Sequence, residues 1–92
     1  MVSKEFLAMI RCPENRSALA LADAALVGRL NDAIDAGWLR NRAGQAVAEF
    51  LDGGLVREDQ AIVYPIVRQI PILLVDEGIP LEQVTSGTSK LL

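Results

Sequence analysis

The sequence predicts an α+β fold: a small antiparallel sheet of three to four strands, an N-terminal helical turn and one longer helix. Three observations carry this. "DAALVGRLNDAIDAGWL" places apolar residues at helical spacing between a capping residue and a glycine. "GLVR" and "AIVYPI" are two β-rich runs parted by the short acidic turn "EDQ". "VRQIPILLV" then supplies a further β-branched run, punctuated by Pro71.

Element by element, Ser3 can cap a short helix through Phe6, Leu7, Met9 and Ile10, which Pro13 prevents from continuing. In "ALALA", residues 18–22, leucines alternate with alanines at strand period. Asp23 opens the clearest helix, with Leu26, Leu30, Ala33 and Ile34 on one face and Arg29, Asp32 and Asp35 elsewhere. Gly37 is its left-handed terminator, and Trp38 is expected to fold back onto the last apolar turn. "RNRAGQ" reads as a turn, leading to "AVAEFL", an apolar stretch that is ambiguous between helix and strand. Asp52-Gly53-Gly54 is a turn signal before the hairpin. Pro71 donates no ladder hydrogen bond, so it belongs at a strand start or on an edge. Residues 1–84 are expected to form a single domain, and 85–92, where apolar periodicity has faded, a mobile tail.

Composition narrows what this domain can do. The 92 residues are 51% hydrophobic, with one cysteine and no histidine. No internal disulfide can form, and the usual four Cys/His ligands of a zinc site cannot be assembled. Apolar packing must hold the fold. The net charge is −3, with six basic and five acidic residues through position 46 and three basic and seven acidic after it. An acidic second half and 4% aromatic residues argue against nucleic-acid binding. The longest apolar run, "IPILLV", is too short to cross a bilayer, and no secretory signal is read at the N-terminus. A cytoplasmic protein is expected.

Candidate chemistry is sparse. Cys12 as a nucleophile would need a base, usually histidine, so a small buried hydrophobe is the better reading. No catalytic residue and no cofactor are expected, and the chain reads as a non-enzyme. The acidic pairs Glu58-Asp59 and Asp76-Glu77 are read as solvated turns, as are Arg40 and Arg42. Gly53-Gly54 lacks the spacing and the Lys-Ser/Thr of a phosphate loop. Tyr64 and Pro65 fit either core and hairpin geometry or a partner surface.

Taken together, "FLAMIRCPENRSALAL", "GLVREDQAIVYPI" and "IPILLVDEGI" resemble the short bacterial relatives of the tRNA-methyltransferase activator subunits. These are small zinc-ribbon-like proteins with a pattern close to "LL-x-I-L-x-C-P-x-C…L-x-C…YPI-x-x-GIP-x-LL". The match covers roughly residues 5–22 and 54–79, and its specificity lies in the order of the segments and the short link from "YPI" to "IP-x-LL". Cys12 stands at the family's first ligand position, but Asn15 stands at its partner, and Arg57 and Gln60 match the second pair. Arginine has no lone pair to give. The resemblance therefore implies a metal-free zinc-ribbon-like domain, with a helical insertion at about 23–52. Gln69 stands where relatives tend to carry glycine, at a cost on the order of 1 kcal/mol if φ is positive there. The Cys12-Pro13 turn is expected to survive through Pro13 and the side-chain hydrogen bonding of Asn15, and the Trp38-ended helix to supply the buried area that metal supplies in relatives.

"IPILLV" is the functional candidate. A strand apolar on both faces needs cover on both, and one helix layer covers one side. The resemblance implies that the cover is a larger subunit, an S-adenosylmethionine-dependent methyltransferase, joined edge to edge in the manner of β-addition. The partner-binding residues are then Ile70, Ile72 and Leu74, with Phe6 and Met9 nearby. The alternative is a self-associating domain, a homodimer paired through an exposed strand edge.

Overall fold

The computed structural model describes residues 10–84. Its elements are β1 (Leu19–Leu21), α1 (Ala24–Ala36), β2 (Gly53–Arg57), β3 (Ile62–Val67), β4 (Ile70–Pro71), a 3₁₀ turn (Val75–Glu77) and β5 (Ile79–Pro80). The sheet is antiparallel, in the order β1-β2-β3-β4, with β5 pairing β3 further along the same strand. This is the small α+β domain read from the sequence, extended by a fifth strand. The expected N-terminal helical turn and the tail at 85–92 lie outside the described residues.

α1 forms where the apolar spacing predicts it. The Asp23 carboxylate accepts the Leu26 N–H at 2.8 Å, satisfying one of the helix's orphan donors. At the other end Gly37 takes φ 87°, its N–H reaching the Ile34 and Ala33 carbonyls, and the Trp38 N–H returns to Ala33. That is the Schellman stop, but its hydrophobic companion is not the expected one. Trp38 is 48% exposed, whereas Leu39 is completely buried. The chain turns so that the residue after Trp38, not Trp38 itself, enters the core.

β3 is the spine. Its side chains alternate, Val63 and Val67 to one face and Ile62, Tyr64 and Ile66 to the other. On the first face lie Leu30, Ala33 and Ile34 of α1, together with Leu39, Leu51, Ile79, Leu81 and Val84. On the second lie Leu19, Leu55 and Cys12. Each large aliphatic residue hidden this way contributes roughly 1.5–3 kcal/mol of transfer free energy, so apolar packing on two faces dominates the fold.

Gly53-Gly54 is not a turn but the start of β2. A Cβ on Gly54 would sit 2.6 Å from Val63 Cγ2, so the glycine permits a close strand approach. The two-residue loop between β3 and β4 places both Arg68 (φ 53°) and Gln69 (φ 65°) in the left-handed region. A hairpin of this length demands that conformation, and the Gln69 N–H is held by the Asp52 carboxylate at 2.7 Å.

Segment 37–51, ambiguous in sequence, is fixed by side-chain amides. Asn31 both donates to the Leu51 carbonyl (3.0 Å) and accepts its N–H (2.7 Å). Gln83 does the same for the backbone of Arg40, at 2.7 and 2.8 Å.

Candidate functional site

Two places on the domain gather the residues singled out by the sequence. The first is the turn at Cys12. The Cys12 N–H donates to the Ser17 carbonyl and the Arg16 N–H to that of Cys12, while Asn15 Oδ1 accepts the Ser17 N–H at 3.0 Å. The knuckle shape thus persists through local hydrogen bonds, with Asn15 in the role expected of it.

No metal set is present to exploit it. The thiol of Cys12 shares a 2.9 Å hydrogen bond with the Tyr64 hydroxyl, and both groups are buried. Asn15, Arg57 and Gln60 complete the positions where the resemblance puts ligands, and only Cys12 offers a good zinc donor. Among the described residues, no three of His, Cys, Asp and Glu cluster closely enough to hold a cation. The residues do not fit a zinc site.

What occupies the position instead is charge. Arg57, at the end of β2, donates to Glu14 of the turn (2.7 Å) and pairs with Asp59 (2.7 Å). Glu14 also pairs with Arg42, from the loop after α1. The Arg42 hydrogen bond, followed by that of Arg57, holds the Glu14 carboxyl below its ordinary value. The hydrogen bond from Arg57 does the same for Asp59. Burial alone would push the Cys12 thiol up. Hydrogen bonds from Tyr64, from the backbone at Asn15 and Glu14, and from Arg57 outweigh it and bring the thiol below its usual value. Burial pushes the Tyr64 hydroxyl well up, and the bond to Cys12 pushes it further. Arg42 is therefore an ion-pair member rather than a merely solvated turn residue.

The second place is the end of "IPILLV". Only Ile70 and Pro71 pair with β3, and residues 72–74 leave the ladder after the Ile72 N–H reaches the Pro65 carbonyl. The run is therefore not one long strand. Proline explains part of this. Ile70 and Ile72 aim their backbone groups at β3, so Pro71 faces outward, where its missing N–H costs nothing.

Beyond that point the side chains divide. Leu73 packs on the cluster around Cys12 and Tyr64. Ile72 and Leu74 line a groove of about 360 Å³ on the other side. Its opposite wall is Val47, Ala48 and Leu51, its floor includes Pro65, Val67 and Ile79, and Glu49 and Glu77 stand along it. Leu74 is 62% exposed, and Ile70, outside the groove, is 61% exposed.

Of the predicted partner residues, the structure brings Ile72 and Leu74 together and sets Ile70 apart at the edge. Phe6 and Met9 lie outside the described residues. Sequence reasoning missed the opposite wall, residues 47–51, and the exposed Phe50 beside it. Its signal was "AVAEFL", an apolar stretch too aperiodic to be buried as a strand or helix. Tyr64 proves to be core. Among the described residues no helix is long and apolar enough to cross a membrane.

The chain is similar to a protein of Xylella fastidiosa whose solution structure was determined by NMR. The two are 28% identical, the match covers 89% of this chain and 84% of that one, and the TM-score is 0.71. No family model matches the chain, and no curated protein matches it. The likeness extends the α+β architecture to a second protein.

Proposed function

We propose that this protein is a non-catalytic partner subunit that binds and stabilises an S-adenosylmethionine-dependent methyltransferase. The observation that carries this reading is the pairing of Ile72 and Leu74 along one apolar groove, at the point where "YPI" and "IP-x-LL" resemble the activator subunits. Exposed apolar side chains gathered along one groove are the kind of surface that a protein contact covers. Covering it on complex formation stabilises whichever chain it belongs to by mass action. The absence of histidine and the burial of Cys12 against Tyr64 support a role without catalytic groups.

Self-association through a strand edge is the alternative, and Pro71 weighs against it at β4 because an incoming strand finds no N–H there. Affinity capture of the tagged chain from its native cells tests the proposal. A methyltransferase should be retrieved with the unmodified chain and lost with Ile72→Asp/Leu74→Asp. Retrieval of only further copies of the chain would favour self-association.

A further inference from the structure

The groove has a polarity that its apolar floor conceals. Glu49 belongs to the wall formed by residues 47–51, and Glu77 to the wall formed by the arm that follows Leu74. No lysine or arginine lines the groove. Glu49 meets Arg68 at 3.1 Å, but both side chains are largely exposed and the pair is weak. No described lysine or arginine pairs with Glu77. The chain as a whole carries a net charge of −3, and the excess of carboxylates lies after position 46, where three basic residues face seven acidic ones.

We infer that the occupant of this groove is a protein segment whose apolar side chains enter between Ile72, Leu74 and Val47 while lysine or arginine residues flank them, facing Glu49 and Glu77. The inference rests on the reading of this face as a docking site and adds the chemistry of what docks. An acidic flank would set like charges against one another on both walls, and a neutral one would leave Glu77 losing water with no cation gained. Basic flanks turn both carboxylates into attraction, and at the rim they act chiefly on the rate of encounter and on the choice of partner.

The test is selection of twelve-residue random peptides on the immobilised full chain, with the bound site mapped by amide shifts of Val67, Ile72 and Leu74. Peptides that shift these amides should be enriched in Lys and Arg around an apolar centre. Their affinity should fall about tenfold for Glu49→Lys/Glu77→Lys and weaken as salt is raised. Glu49→Gln/Glu77→Gln, which removes charge without reversing it, should give an intermediate loss. Groove-binding peptides without basic enrichment, or with affinity indifferent to both double variants, would overturn the inference while leaving the docking reading intact. Selection of no peptide that reaches the groove would also overturn it. Retention of the methyltransferase by Ile72→Asp/Leu74→Asp would instead sink the docking reading itself.

Discussion

Arg57 and Glu14, 43 positions apart in the chain, meet at 2.7 Å and tie the Cys12 turn to the end of β2. The tie fixes the turn to the sheet through a directional, charge-assisted contact.

Arg57→Ala should therefore loosen the turn. Its guanidinium is nearly buried and bonds both Glu14 and Asp59, so the loss is about 1–3 kcal/mol. In a domain of this length that lowers Tm by roughly 4–8 °C per kcal/mol. A melt recorded by circular dichroism checks it, and an unchanged Tm would show the network to be ornamental.

The same carboxylates set an acid limit. Glu14 and Asp59 have folded pKa values below their ordinary ones. Their contribution is present in full above the unfolded carboxylate range and is lost as pH falls through the lowered folded values. Melts between pH 7 and pH 3 should show stability falling across and below that range. Glu14→Gln should flatten the slope.

The neighbours Trp38 and Leu39 should respond in opposite degree to their size. Leu39→Ala empties a fully buried position and should cost about 2–5 kcal/mol. Trp38→Ala removes a side chain that is about half exposed and should cost well under the about 3–5 kcal/mol of a buried tryptophan. Urea midpoints of the two variants, compared directly, decide it.

Gln69→Gly should stabilise. At φ 65° the glutamine carries left-handed strain that glycine lacks, about 1 kcal/mol. Some of this is returned to the greater freedom of glycine in the unfolded chain. Equilibrium urea unfolding should show a small upward shift in midpoint, and a downward one would mean that the turn prefers the longer side chain.

Sequence legibility followed sequence distance. The helix between Asp23 and Gly37 and the hairpin around "EDQ" were readable because cap, period and turn lie within a few residues of one another. Trp38 misled because a Schellman stop fixes where the helix ends, not which of the next two residues turns inward; the closing of Leu39 over the core is a tertiary choice. β5 has only two residues, and its pairing with Ile62 and Val63 leaves no local trace. Gly54 looked like a turn because glycine pairs usually are, whereas its reason is a neighbour nine positions away, Val63. Half of the candidate groove was visible in "IPILLV". The other half depended on Asn31 pinning Leu51 across 20 residues, a contact that no periodicity announces.

One pair of backbone contacts bears on how a ligand would be received. The Arg42 N–H donates to the Gly78 carbonyl at 2.9 Å and the Ala43 N–H to that of Asp76 at 3.3 Å. These bonds stitch the base of the Val47 wall to the base of the Leu74 arm, so the two sides are held at a set spacing before anything arrives. A segment docking as proposed would meet a preformed shape, with little ordering left to do on contact; among segments of equal charge, differences in affinity should appear in how slowly they leave, while added basic flanks should speed their arrival.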